Sequence, residues 1–152
     1  MGHRNLTETV ADLERHGMLK RVDAPIDPDL EMAEIQRRLY AQAGPAVLFT
    51  RPKGTAFPML ANLYGTLDRT KFLFRDALEG VRKLVELKVA PDAAAKRPWR
   101  YLDVPLLADR LLPRRQRSGP ILRHTIPLNE LPQWKCWPRD GGAFVTLPQV
   151  YS

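Results

Sequence analysis

The sequence is poor in the residues that most specialised sites require. Its 152 residues include one cysteine and three histidines, and a single thiol, Cys136, excludes an internal disulfide. A chain without disulfides suits a reducing compartment, so we expect a cytoplasmic location. No stretch approaches the ~18 consecutive apolar residues of a membrane-spanning helix, and the first residues lack the apolar segment of a secretory signal. These absences predict a globular protein without a membrane span.

Motifs that mark common active sites are missing as well. The histidines stand at positions 3, 16 and 124, without ligand spacing to one another or to Cys136, which argues against a structural zinc site with its four close N or S ligands. Neither a P-loop nor a GxGxxG segment occurs. Cys136 follows Lys135 but has no evident base beside it, as a nucleophile would need, and His16 is expected to cap a helix. We therefore predict no catalytic residue and no metal ligand in this chain.

The net charge of +7 is a feature that the chain does have. Five arginines crowd one stretch: Arg110, Arg114, Arg115, Arg117 and Arg123. Such a cluster can bind the phosphates of a nucleic acid, or it can be a solvated surface or a basic rim near an anionic cofactor or substrate. No aromatic residue lies among these arginines, and no nucleic-acid-binding motif is present. A nucleic-acid partner is therefore the weakest of the three interpretations.

The first ninety residues alternate between helical and extended patterns. Asn5, with Glu8 three places on, predicts a capped helix that Gly17 ends. The Asp27-Pro28 pair predicts the start of a second helix, with the aspartate as N-cap. Short strands are predicted at "MLKRVD", "AVLFT" and "FPMLAN", and a later helical stretch, capped by Thr66, has an apolar face of Leu78, Val81, Leu84 and Val85. This alternation predicts an α/β domain over residues 1–95, with a small mixed sheet and flanking helices.

Proline dominates the remainder of the chain. Eight of the 14 prolines lie between Pro98 and Pro148, which prevents any long helix. A short helix is predicted in "DVPLLADRLLP" and a strand in "ILRHTI". The apolar run Ala143–Val150 is typical of a strand buried on both faces, yet no neighbouring strand follows it. We interpret residues 96–152 as a Pro-rich connector and the first strand of an incomplete second domain.

Four segments carry a resemblance to a known family. They are "DLERHGMLKRVDAPIDPDLEMAEIQRR", "AGPAVLFTRPKG", "FPMLANLYGTLDR" and "LPQWKCWPRDGGAFVTLPQVY". In this order they resemble the N-terminal part of the UbiD family of reversible decarboxylases, flavoproteins that use prenylated FMN. The last segment resembles the point at which the family's chain passes into its flavin-binding domain.

The resemblance implies how the chain is organised and what it lacks. The Pro-rich extension would lead into a truncated flavin-binding domain, and the family's catalytic arginine, acidic residues and metal-binding His and Glu would lie beyond Ser152. We therefore expect a fragment or split subunit that binds no cofactor tightly, although the full-length enzyme would need prenylated FMN and a divalent metal (Mn). Thr146 resembles the family's flavin-contacting threonine and is the one cofactor-binding residue predicted here; a threonine in that place also simply favours a strand.

The function implied is that of a carboxy-lyase acting on an aromatic or α,β-unsaturated carboxylic acid. This chain would be its N-terminal domain or fragment, inactive alone, with the missing flavin domain supplied in cis or in trans and a homo-oligomer expected for the full-length enzyme. The alternative is a non-catalytic docking or assembly subunit for a separately encoded decarboxylase domain. A basic nucleic-acid-binding domain is the third hypothesis.

Overall fold

The computed structural model describes residues 3, 5–89, 91–96, 98–111, 119 and 123–143. The chain divides into two compact units. The sheet unit comprises the described residues of Arg4–Thr70 and Ile126–Ser152, and the helical unit comprises those of Met1–His3 and Lys71–Thr125. The predicted domain boundary between residues 95 and 96 stays a prediction.

Within these residues the chain forms six helices, two 3-10 turns and three strands. The helices are α1 (Leu6–Arg15), α2 (Glu31–Ala41), α3 (Leu67–Leu73), α4 (Arg75–Val89), α5 (Pro91–Lys96) and α6 (Val104–Leu111). The 3-10 turns are Pro98–Tyr101 and Leu128–Glu130, and the strands are β1 (Leu19–Val22), β2 (Ala46–Phe49) and β3 (Met59–Ala61). No helix in the described part of the chain has the length and apolarity needed to cross a bilayer.

The three strands form one mixed sheet in the order β1-β2-β3. Strand β1 runs parallel to β2, with Leu19 opposite Ala46, and β3 runs antiparallel to β2, with Ala61 opposite Val47. A parallel pair needs a crossover connection, and α2 lies in the segment that provides it. The predicted small mixed sheet with flanking helices is confirmed.

The core of the sheet unit lies between α2 and the sheet. Phe49 and Met32 are fully buried there, the first on the central strand and the second on the helix. Ile35 and Leu39 continue the apolar stripe of α2 at helical spacing and pack against the same core. The stripe predicted from the sequence is therefore the face that α2 buries.

Local capping agrees with the sequence in three places. Asn5 Oδ1 accepts a hydrogen bond from the Glu8 N–H at 2.9 Å, which makes Asn5 the N-cap of α1. At the other end His16 Nδ1 lies 2.8 Å from the Asp12 carbonyl oxygen, and Gly17 takes a φ of 68° that ends the helix. Before α3, Thr66 Oγ1 accepts from the Arg69 N–H at 3.2 Å. Each interaction spans three or four residues, so the local sequence suffices to predict it.

The predicted start of the second helix is wrong. Helix α2 begins at Glu31, after Leu30 with a positive φ of 66°, and Asp27 is not its N-cap. Asp27 Oδ1 instead accepts from the Asp29 N–H, and Glu31 Oε2 accepts from the Asp27 N–H. The physical reason is tertiary: residues 28–30 are paired with a segment about a hundred residues later in the chain, so they cannot coil into the first turn.

The remaining secondary-structure predictions concern the chain after Thr66. The stretch after Thr66 forms two helices, α3 and α4, rather than one, and the α5 helix was not predicted. The short helix in "DVPLLADRLLP" is confirmed as α6. Of "ILRHTI", the described residues 123–126 form no strand. Residues 144–150, which make up most of the predicted Ala143–Val150 strand, lie outside the described residues.

A buried arginine ties the loop before α3 to the loop after α2. Arg69 is only 4% exposed, and its guanidinium donates to the carbonyl oxygens of Leu63 (2.9 Å), Gly44 (3.0 Å) and Asn62 (2.6 Å). The Asn62 amide donates to the carbonyls of Gly44 and Pro45. Burial lowers the pKa of Arg69 from its usual value, yet an arginine keeps its charge in a protein. Backbone carbonyl dipoles therefore replace the water that this cation loses.

Gly65 makes this arrangement possible, and its replacement is the first test. A Cβ at Gly65 would overlap the Asn62 side chain, so we expect Gly65→Ala to lower the free energy of unfolding by about 2–3 kcal/mol. Gly141→Ala is the matched control, because no atom lies within 4 Å of its added Cβ. Urea denaturation followed by circular dichroism measures both; equal stabilities for the two variants would contradict the proposed clash.

Candidate functional site

The Pro-rich segment near residue 134 returns to the sheet unit and becomes part of its core. Trp134 is 7% exposed and belongs to the same buried cluster as Met32 and Phe49. Next to it, Lys135 pairs with the loop before α2: its N–H donates to the Pro28 carbonyl at 3.2 Å, and its carbonyl accepts from the Leu30 N–H at 3.1 Å. One tryptophan and one backbone pairing therefore fix this segment to the domain.

A carboxylate closes the turn that follows. Asp140 Oδ2 accepts hydrogen bonds from the N–H groups of Cys136 (3.2 Å) and Trp137 (2.8 Å), and the Asp140 N–H donates to the Trp137 carbonyl at 3.1 Å. The Trp134 indole N–H donates to Cys136 Sγ at 2.9 Å. The thiol thus helps to seat the buried tryptophan, and Asp140 shapes the turn, as its place beside two glycines suggests. We call residues 134–140 the Cys-Trp-Pro turn.

A groove of about 460 Å³ separates the Cys-Trp-Pro turn from α2. It is lined by Leu30, Ala33, Glu34, Gln36, Arg37, Tyr40, Cys136, Trp137 and Pro138. Most of this lining is apolar, and two exposed aromatic side chains, Tyr40 and Trp137, contribute to it. Sequence patterns did not indicate Tyr40, because it stands at the exposed end of the helix outside the apolar stripe.

The polar edge of the groove is a carboxylate held by two arginines. Glu34 accepts hydrogen bonds from Arg38 at 2.7 Å and from Arg37 at 2.7–2.9 Å. These bonds, with Arg38 the larger contributor, lower the pKa of the Glu34 carboxyl below its ordinary value. A carboxyl that is held ionised does not serve as a general acid near neutral pH. The edge is therefore suited to orientation and binding rather than to proton transfer.

The described residues contain no group of three or more His, Cys, Asp or Glu side chains that could hold a metal ion. In the groove, Arg37 Nη2 lies 2.7 Å from Glu34 Oε2. Thr146 lies outside the described residues, and its assignment stays a prediction. Most of the arginine-rich stretch, including Arg114, also lies outside them.

Comparisons with known proteins match both halves of the chain. Residues 10–88 match the N-terminal domain of 3-octaprenyl-4-hydroxybenzoate carboxy-lyase, and residues 114–152 match the Rift-related domain of the same enzyme. The chain belongs to the UbiD family. The second match includes the Cys-Trp-Pro turn, so this turn lies in the part of the chain that matches the Rift-related domain.

Individual relatives match most of the chain at 37–39% identity. An uncharacterised protein of Chlamydia muridarum is 39% identical over 132 residues, which cover 84% of this chain and 23% of the relative. A protein of Chlamydia pneumoniae, named as a subunit of 4-hydroxybenzoate decarboxylase, is 37% identical over 134 residues, covering 86% of this chain and 23% of its own length. The chain spans about a quarter of the length of these relatives.

Two tryptophans in the Cys-Trp-Pro turn provide a matched test of its attachment. Trp134→Ala should lower the free energy of unfolding by about 3–5 kcal/mol, because it leaves a cavity in the core. Trp137→Ala, at a side chain that is 62% exposed, should change it by no more than about 0.5 kcal/mol. Urea denaturation followed by far-ultraviolet circular dichroism measures both without relying on tryptophan fluorescence. Equal effects would show that the turn is not packed into the core.

Proposed function

We propose that this chain is the N-terminal part of a UbiD-type reversible carboxy-lyase and that it positions the family's flavin-binding domain. The observation that carries the proposal is the attachment of the Cys-Trp-Pro turn, through Trp134 and Lys135, to the N-terminal core. The match to the second domain runs through this turn. A rigid anchor at that point would determine where the following strand leaves the sheet unit.

A rigid anchor would favour decarboxylation by keeping the flavin domain in a fixed position. Displacing a reacting group by about 1 Å can lower a rate by roughly a hundredfold, so a flavin domain benefits from a fixed support. In the family, prenylated FMN and a divalent metal supply the chemistry of decarboxylation. The contribution of the residues described here is structural: Trp134 fills the core, Lys135 pairs with residues 28–30, and Asp140 sets the direction of the turn.

The proposed substrate is an aromatic or α,β-unsaturated carboxylic acid. Support comes from the family description, a hydroxybenzoate carboxy-lyase, and from the name of the Chlamydia pneumoniae relative. The flavin domain would act in cis or in trans, in the cytoplasm, and as part of a homo-oligomer. We expect the 152-residue chain alone to lack decarboxylase activity, since its described residues include no group of three or more His, Cys, Asp or Glu side chains that could hold the metal.

A second candidate function is a non-catalytic docking or assembly subunit. The groove between α2 and the Cys-Trp-Pro turn favours it, because exposed Tyr40 and Trp137 beside an apolar surface are common in protein interfaces. In that case the chain would bind a separately encoded decarboxylase domain without being needed for the geometry of its site. The two candidates differ in whether a change that loosens Trp134 alters turnover or only binding.

A chimera distinguishes them. Residues 1–143 of this chain replace the corresponding N-terminal segment of the Chlamydia pneumoniae relative, in cells that produce prenylated FMN, and CO2 release from 4-hydroxybenzoate is measured. We expect activity in the chimera, at least a tenfold loss of turnover with Trp134→Ala, and none from the isolated 152-residue chain. Trp99→Ala is the control, since this tryptophan is exposed and lies in the helical unit.

Two results would overturn the proposal. Turnover by the isolated chain would place the chemistry in residues to which we assign only a structural role. A chimera whose turnover is unchanged by Trp134→Ala, while its assembly is weakened, would favour the docking subunit instead.

A further inference from the structure

Helix α4 exposes an apolar stripe in the helical unit. Val81, Val85 and Val89 are 44%, 54% and 77% exposed, and the helix buries none of its described residues fully. Residues four apart lie on the same face of a helix, and the half-buried Leu78 extends this face toward the N-terminus. A stripe of this kind on a water-soluble helix is normally covered.

A row of alternating charges runs beside the stripe. It consists of Arg75, Glu79, Arg82 and Glu86, and the spacing of four, three and four residues places these side chains on one flank of α4. Within its own unit, Glu79 lies 3.8 Å from Lys83 and Glu86 lies 3.5 Å from Arg100. These long ion pairs leave the order of signs along the flank unchanged: positive, negative, positive, negative.

We propose that α4 is a self-association surface whose occupant is a second copy of the same helix, packed antiparallel. Reversing one copy places Arg75 opposite Glu86 and Glu79 opposite Arg82, so that all four contacts across the twofold axis join opposite charges. In a parallel pair the twofold axis would place the two charged rows on opposite sides of the seam, so these four ion pairs would not form. In the antiparallel pair Val81 lies near the twofold axis and Leu78 near Val85 of the second copy.

Affinity and orientation come from different parts of this surface. Burial of the valine stripe supplies the favourable free energy, whereas charges that flank such a seam set the orientation of the helices. Because a twofold interface uses the same patch on both copies, every charge contact occurs twice. A single charge reversal therefore introduces two repulsions, and it should raise the dissociation constant about tenfold. This inference is independent of the proposed function.

The test is sedimentation velocity on the full 152-residue chain at low salt over a range of concentrations. We expect a monomer–dimer equilibrium that Val85→Lys abolishes. Arg82→Glu and Glu79→Arg should each weaken the dimer about tenfold, and the swapped double variant, Glu79→Arg with Arg82→Glu, should restore it. Circular dichroism checks that each variant keeps its helical content.

A mixture of the two single variants, Arg82→Glu and Glu79→Arg, gives the most discriminating measurement. In a mixed pair the glutamates of one copy face the arginines of the other at both positions, so the heterodimer should form more tightly than either homodimer. A chain that stays monomeric, a dimer that is indifferent to Val85→Lys and Arg82→Glu, or a mixture without preferred heterodimer would overturn the proposal. The latter two results would indicate another surface or another occupant.

Discussion

The structure of the sheet unit depends on the burial of Trp134. This side chain enters the N-terminal core from a segment that lies far beyond the last strand of the sheet in sequence, and it packs beside Met32 and Phe49. Its neighbour Lys135 then pairs with residues 28–30. That pairing keeps those residues out of the helix, so that α2 begins at Glu31, and Leu30 forms part of one wall of the groove.

Two of the segments that resemble the UbiD family are explained by the backbone hydrogen bonds that their side chains make. In the first, the Asn62 amide donates to the Gly44 and Pro45 carbonyls, and Arg69 also donates to the Gly44 carbonyl. Gly65 leaves room for the Asn62 side chain. In the second, Asp140 accepts from the backbone at Cys136 and Trp137. In both segments, polar side chains satisfy the backbone groups of a loop or a turn.

Features that depend on neighbours in the chain could be predicted from the sequence. The cap at Asn5, the stop at Gly17 and the stripe of α2 all arise from contacts within four residues or from periodicity. The strands in "AVLFT" and "FPMLAN" were predicted from their apolar composition on either side of a turn. Family membership came from four ordered segments, a stronger basis than any one of them alone.

The features that could not be predicted depend on contacts between residues that are distant in sequence. Nothing in the Asp27-Pro28 pair indicates that the backbone of Lys135 competes for the same residues. The groove could not be predicted either, because it needs α2 and the Cys-Trp-Pro turn side by side. The residue type of Trp134 was an indication that this segment contacts the core, since burying a tryptophan removes a large apolar surface from water. The stripe of α4 was visible, but amphipathicity does not reveal what covers a face.

The Cys-Trp-Pro turn folds with the N-terminal core rather than as a loose connector, and the proposed function depends on this claim. Hydrogen exchange at the amides of Leu30 and Lys135 tests it most directly, because each donates to a carbonyl on the other side of the pairing. We predict that both amides are protected to a similar degree in the native chain and that both lose protection together in Trp134→Ala. Exchange of the Lys135 amide at the rate of an unstructured peptide, while the α2 amides stay protected, would contradict the claim.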